Sequence, residues 1–324
     1  MASIREWFTD LLGKSQPPKH DGSAPQTESE PRTATQQSGG REAVLVQETA
    51  RAAPPSSPPA IRSNVFNLGW LTDVGRERGH NEDALLVFTG QQDASQAVPP
   101  FGLFMVADGM GGHQQGEAAS SLALKVSASH LISSVYLPLL SGSDRGASQP
   151  SLTEVVKEAI SEANRLVARD FPGSGSTLTC GMVIGSRLFI GHVGDSRAYL
   201  LREGASPRRL TRDHSFVSRL IEMGQLSEKE ALIHPQRNVL YRAIGQPDGL
   251  EVDVSTYALR NGDRLLICSD GLWNMVDESE IRSTLASVPD PQNACSRLID
   301  AANAAGGTDN VTVVYAEVNL TPTQ

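Results

Sequence analysis

Three long apolar runs in this chain end in aspartate. FGLFMVADG reaches Asp108-Gly109, RLLICSDG reaches Asp270-Gly271, and RLFIGHVGDS reaches Asp195. Apolar runs of this length read as buried strands. A carboxylate at the end of such a strand is held on a rigid element and aimed beyond the sheet edge. Glu82, Asp83 and Asp309 add further carboxylates in other segments. Side by side, these groups repel one another unless cations lie among them. The pattern therefore constrains the chain to a layered fold whose strand ends surround one shared cationic centre.

The chain has 324 residues, enough for one large domain or two small ones. A stretch from Gln16 to Pro59 is rich in Pro, Ser, Gln, Glu and Ala and has no sustained apolar periodicity. Such a segment buries too little surface to offset the entropy of ordering, so 15–62 is expected to be a disordered linker ahead of a domain at 63–319. Residues 1–62 carry seven Lys/Arg and seven Asp/Glu, so the net charge of -9 falls on the domain. That sign argues against general nucleic-acid binding, which needs a basic face. Cys180, Cys268 and Cys295 are widely spaced in apolar segments and read as buried hydrophobes, neither a disulfide framework nor a zinc site. No apolar run approaches the roughly 20 residues of a membrane span, and the N-terminus lacks a secretory pattern. The expectation is a cytoplasmic protein with no transmembrane segment.

Ile4, Trp7, Phe8, Leu11 and Leu12 recur on one helical face, and Gly13 supplies a stop. The charges around them balance. An anionic membrane would want a basic face, so docking of 1–14 into a partner's groove is expected, with a free stub as the alternative. Further on, strands are expected at 67–72, 84–89, 102–107, 178–184, 188–193, 197–201, 252–257, 264–268 and 310–318. Amphipathic helices are expected at 116–135 and 153–170, with others starting after Asp277 and Asp290. Two consecutive long helices between groups of hairpin-spaced strands point to an α+β layered fold. Residues 213–245, with Gly224, Pro235 and Gly245, break the pattern and read as an inserted flap.

An oxygen-only ligand set of Glu82, Asp83, Asp108, Asp195, Asp270 and Asp309 suits hard cations such as magnesium and manganese. Paired ions of that kind activate water and clamp a phosphoryl group in hydrolases. Glycines after Asp108 let backbone approach the ions, so a carbonyl can join the ligands. A lone Asp-Gly is ordinarily a turn; the weight lies in the joint occurrence.

The strings TDVGRERGHNEDA, VADGMGGHQQGEAAS, GSTLTCGMVIG, GHVGDSRAYL, LTRDHSFV, HPQRNVLYRAIG, LLICSDGLW and GGTDNVTVV resemble the successive motifs of protein phosphatase 2C-type enzymes, the metal-dependent Ser/Thr phosphatases, and of bacterial members in particular. The resemblance covers about residues 65–318 in order. It implies a four-layer α-β-β-α sandwich with two central, mainly antiparallel sheets flanked by helices. It implies two Mn2+ or Mg2+ ions and a weaker third. Asp108 would bridge the pair, and Asp270 and Asp309 would complete the first ion's site. Glu82 and the Gly109 carbonyl would serve the second, with Asp83 supporting its waters. Asp195 and Asp270 would hold the third. Arg78 matches the phosphate-binding arginine, whose planar fork grips two phosphate oxygens.

The implied reaction is direct attack of metal-activated water on phosphorus, with no covalent phosphoenzyme. One position departs from the pattern. Some family members carry histidine directly after Asp-Gly as the leaving-group acid, and here that residue is Met110. His113, three residues on, is the candidate substitute, with a loop-packing role as the alternative. In the flap, His234, Arg237, Asn238 and Arg242 are expected chiefly as anchors, with Arg237 and Arg242 meeting substrate phosphates as the second option. The expected substrates are phosphoserine and phosphothreonine proteins and the expected counterpart is a Ser/Thr kinase. A non-catalytic phosphoprotein-binding relative and a hydrolase of small phosphate esters are the competing readings.

Overall fold

Alternation along the strands sorts the side chains into three separate cores. The computed structural model describes residues 65–90, 98–111, 114–142, 149–247 and 249–320. The expected docking helix at 1–14, the linker at 15–62 and His113 lie outside the described residues. Two antiparallel sheets make the centre. In one, β1 (Phe66–Asp73), β11 (Val311–Val318), β10 (Asp263–Cys268), β7 (Arg197–Leu201) and β8 (Arg208–Arg209) are neighbours in that order. In the other, the order is β2 (Asp83–Gly90), β3 (Phe101–Met110), β5 (Leu178–Ile184), β6 (Arg187–Val193) and β9 (Asp253–Ala258). The two-residue β4 (Gly175–Ser176) pairs with the last residues of β3.

Successive strand side chains point to opposite faces. On β3, Phe104 and Val106 join Leu68, Leu265, Ile267 and Val314 in the core between the sheets. Phe101, Leu103, Met105 and Ala107 pack instead with α1 (Gln114–Leu131) and α3 (Leu152–Asp170). Across the molecule, Leu266, Cys268, Val313 and Tyr315 pack with Ile281 and Leu285 of α7 (Glu278–Ser287) and Leu298 and Ile299 of α8 (Pro291–Ala304). The result is the helix–sheet–sheet–helix sandwich that the motifs implied.

Helix α1 runs on through a π-helical turn (Ile132–Tyr136) into the short α2 (Leu137–Leu140). Taken together, Gln115–Leu140 is long and apolar enough to cross a membrane by length and composition. No such run was expected from the sequence, because Lys125 and the small polar residues dilute it. Here Ala119, Ala123, Leu124, Ala128, Leu131 and Val135 are buried in the helix–sheet core, which accounts for that apolar face. Helix α3 starts at a capping box between Ser151 and Glu154, and its Val155, Val156, Ala159, Ile160, Ala163 and Val167 are buried as the periodicity predicted. The Asp290 side chain accepts the Asn293 N–H at 3.0 Å at the start of α8, whereas Asp277, at the start of α7, makes no such bond. All three cysteines are buried and unpaired, and burial pushes the Cys180 and Cys268 thiols up to about 12.

The flap contains α4 (Phe216–Glu222) and α5 (Glu228–Leu232), each opened by a serine whose hydroxyl accepts a backbone N–H. Sequence periodicity missed β4, β8 and the single turn α6 (Asp270–Trp273), all too short to show one.

Candidate active site

The sheets bring the aspartates to one end of the sandwich. Asp83 and Asp108 are directly opposed at the edge of the β2–β3 pairing. β3 continues two residues past Asp108, with Gly109 opposite Ser176 and Met110 opposite Gly175. Asp270 opens α6 two residues after β10 ends, Asp195 follows β6, and Asp309 lies two residues before β11. Arg78, Glu82, Asp108, Asp195, Asp270 and Asp309 all line one cavity of about 390 Å³, together with Gly109. Asp83 does not line it; the residue sits one step behind, its Oδ2 accepting the Ser269 hydroxyl at 2.8 Å.

Burial and mutual repulsion dominate the electrostatics. Burial first, then the charges of Asp83, Asp270, Asp195 and Asp309, push the Asp108 carboxyl well above the usual range. Asp195 is raised by burial and by Asp270 and Asp213, with Arg197 opposing. Burial raises Asp83 to about 7 despite hydrogen bonds from Thr312 and Ser269. Asp270 is raised to about 6, chiefly by burial and Asp309, while its contact with Asp108 and the charges of Arg78 and Arg197 hold it back.

Polar residues that no motif argument singled out hold this arrangement. The Asn310 side chain accepts the Glu82 N–H at 2.8 Å and donates to the Val74 and His80 carbonyls at 2.9 and 3.0 Å, pinning the loop that carries Arg78. Thr177 exchanges two bonds with Asp108: its hydroxyl accepts the Asp108 N–H at 2.9 Å and its N–H donates to the Asp108 carbonyl at 2.8 Å. Trp273 Nε1 donates to the Asp195 carbonyl at 3.1 Å, and Arg197 lies 3.6 Å over the Trp273 ring while pairing with Asp213 at 2.7 Å. A Cβ on Gly109 would run into the carbonyl oxygen of Gly116, so glycine alone lets β3 pass this close to the start of α1.

The donor chemistry fits hard divalent cations. Asp83 Oδ1 and Asp270 Oδ1 are buried without a hydrogen-bond partner in the structure. A buried carboxylate oxygen in that state is costly unless a cation or its water shell meets it. Among the described residues, no three His, Cys, Asp or Glu side chains converge to grip one ion directly. Asp309 in particular turns Oδ2 to Arg78 Nη2 at 2.7 Å. Carboxylates spread around a wet cavity match magnesium-like ions, which keep several waters and take one or two direct carboxylates.

Met110 lines the cavity and can neither give nor take a proton. His80 also lines it and lies 3.1 Å from Glu82 Oε1. In the flap, Arg242 acts as an anchor: it pairs with Glu251 and donates to Asp253 Oδ1 at 3.0 Å. Asn238 reaches the cavity wall, while His234 stays within the flap, where Nδ1 accepts the Gln236 N–H at 3.1 Å.

The family model for protein phosphatase 2C matches residues 72–311. The chain is 38% identical over 251 residues to the serine/threonine phosphatase stp of Listeria innocua, covering 78% of this chain and 95% of that one. Among solved structures, the serine/threonine phosphatase PstP/Ppp of Mycobacterium tuberculosis matches with a TM-score of 0.65 and 35% identity, over 79% of this chain and 99% of that one. The catalytic domain of PstP in complex with two manganese ions matches with a TM-score of 0.63 and 34% identity, again over 79% and 99%. The two antiparallel sheets, the carboxylates gathered at their ends and these matches across the domain have one explanation: the chain belongs to the protein phosphatase 2C family.

Proposed function

We propose that the protein is a Mn2+- or Mg2+-dependent phosphatase of phosphoserine and phosphothreonine proteins, opposing a Ser/Thr kinase in the cytoplasm of a bacterial cell. The observation that carries this reading is the group of carboxylates around a cavity that also holds Arg78, with buried, unpartnered oxygens on Asp270 in its wall and on Asp83 behind it. Asp108 would hold a first ion, completed by Asp270 and Asp309 directly or through water, and Asp108, Glu82 and the Gly109 carbonyl would hold a second, with Asp83 supporting from behind. Asp195 and Asp270 would hold a weaker third. The bound pair would supply an activated water and offset the charge growing on the phosphoryl oxygens. Arg78 is half-exposed at the cavity wall and held by Asp309, so its guanidinium is oriented before a phosphate arrives. Met110 cannot protonate the departing alkoxide; a cation-bound water would do so, with His113 as the alternative acid. Domain 63–319 would be the catalytic unit, with 15–62 a linker and 1–14 a docking peptide.

The test is phosphate release from a phosphothreonine peptide with manganese, for the wild type and for Asp108→Ala and Asp270→Ala. Turnover that needs the metal and is lost in both variants is expected. No turnover with manganese or magnesium, or turnover surviving both substitutions, would overturn the assignment.

A further inference from the structure

A buried histidine joins the flap to the Asp195 turn. His214 is fully buried at the point where the flap leaves the body. Its backbone N–H donates to the Gly194 carbonyl at 2.8 Å, and its ring Nδ1 accepts the Gly194 N–H at 3.1 Å. Both polar groups of Gly194 are thus held by one residue, directly before Asp195. Gly194 has φ +108°, a conformation that L side chains rarely adopt, so the turn carries its own strain-free residue but needs outside bonds to fix it.

The other side of His214 faces the flap. With Nδ1 accepting, the proton sits on Nε2, which donates to Asp253 Oδ2 at 3.2 Å. Arg242 Nη1, 3.2 Å from the same Nε2, donates to the other oxygen of that carboxylate at 3.0 Å. The His214 carbonyl accepts the Tyr241 N–H at 2.9 Å, and Ser215 bridges to Leu240. Asn238 and Leu240, just before these ties, form part of the cavity wall that also includes Asp195. Behind His214, His192 stacks at 4.9 Å between ring centroids, with its Nε2 3.0 Å from the Arg212 carbonyl. Burial lowers the His192 pKa to about 4 and lowers that of His214 as well, which favours the neutral form of both rings.

We infer that His214 is a positioning residue: it fixes the Gly194–Asp195 turn through Nδ1 and the flap base through Nε2 and its carbonyl, and so sets the spacing of the Asp195 carboxylate from the flap wall. This assignment rests on the cation-dependent phosphatase reading above for its effect on activity. It makes the two arms separable. The Nδ1 arm governs cation affinity at Asp195, and the Nε2 arm governs how the flap meets a peptide.

Three variants of the full chain test this: His214→Ala, His214→Asn and Asp253→Asn. The readouts are Mn2+ binding by calorimetry, kcat and KM on a phosphothreonine peptide, and amide hydrogen exchange at Gly194 and Tyr241. Loss of a group that orients a metal ligand typically costs 10- to 100-fold in affinity, so His214→Ala should weaken the Asp195-dependent ion by about that factor. It should also raise KM and speed exchange at both amides. The asparagine oxygen stands as many bonds from the backbone as Nδ1, so His214→Asn should restore Mn2+ affinity and Gly194 protection while KM stays high. Asp253→Asn should raise KM and Tyr241 exchange with cation affinity kept. If His214→Ala does not fold, the other two variants decide. Wild-type binding, KM and exchange in a folded His214→Ala would overturn the inference, as would His214→Asn recovering nothing or Asp253→Asn leaving KM and Tyr241 exchange unchanged. A wild type that neither binds Mn2+ nor releases phosphate would instead sink the proposed function, and the exchange data would still decide the positioning role.

Discussion

At Arg78, exposure and partnership determine what substitution will do. The guanidinium is 48% exposed and its ion pair with Asp309 is at the rim of the cavity. Exposed pairs contribute little to folding, so Arg78→Ala should change stability by no more than about 0.5 kcal/mol. A preorganised donor aimed at a phosphoryl group is worth far more in the transition state, and the same variant should lose about 100-fold in kcat/KM. Arg78→Lys keeps the charge but not the planar fork and should fall between. Thermal melting and phosphate-release kinetics on the same samples check both halves. A large loss of melting temperature, or full activity, would show that the residue serves the fold and not the phosphate. Its position in TDVGRERGHNEDA put it among the expected site residues, and it does line the cavity. Its pairing with Asp309, 231 positions away, was not legible, since nothing local in either segment points to the other.

At the level of elements, strand ends were the readable part and the ties between them were not. Long apolar runs announced β3, β6 and β10, and hence roughly where Asp108, Asp195 and Asp270 would stand. Two details still differed: β3 passes through Asp108 to Met110, and Asp270 begins a helical turn. Both depend on partners that periodicity does not reveal, namely β4 for the first and the contacts of α6 for the second. Asn310 illustrates the same limit. It reads as an ordinary residue at the start of a strand, yet its side chain binds the loop between β1 and β2 at three points. Removing it leaves two carbonyls and one N–H to find new partners. Each stranded buried group costs about 1–3 kcal/mol, so Asn310→Ala should destabilise the fold by about 2–3 kcal/mol, allowing for partial rescue by water. Because that loop carries Arg78 and Glu82, activity should fall by more than the unfolded fraction explains. Denaturant melts with activity assays on the residual folded protein would show it. A variant as stable as wild type would mean the loop is held by the Arg76 and Glu77 bonds to the Gly307 carbonyl instead.

Over the whole molecule, the crowded carboxylates of the site oppose the fold that holds them. The sandwich stacks three apolar cores and still crowds Asp83, Asp108, Asp195 and Asp270 together at one end, Asp195 and Asp270 buried. Composition could place the negative excess on the domain but could not show that the acids at its centre crowd around one cavity. Without bound cations, the folded state holds protons that the unfolded chain releases: Asp83 titrates at about 7 and Asp270 at about 6, against 3.8 for the unperturbed group. The folded chain then binds more protons than the unfolded one, so stability falls as pH rises. The favourable contribution is whole below the unfolded pKa and is lost as pH passes through the folded values, a window from about pH 4 to about pH 7. Bound Mn2+ or Mg2+ would replace those protons and remove the penalty. Protein stripped by a chelator should therefore melt at a lower temperature at about pH 7.5 than at about pH 5, by an amount reflecting a few kcal/mol. Mn2+ should raise the melting temperature more at the higher pH, and in the stripped protein Asp83→Asn should flatten the slope. Stripped protein that grows more stable from about pH 5 to 7.5, with a manganese shift indifferent to pH, would mean that the carboxylates are solvated in solution and that the cations are not what holds them together.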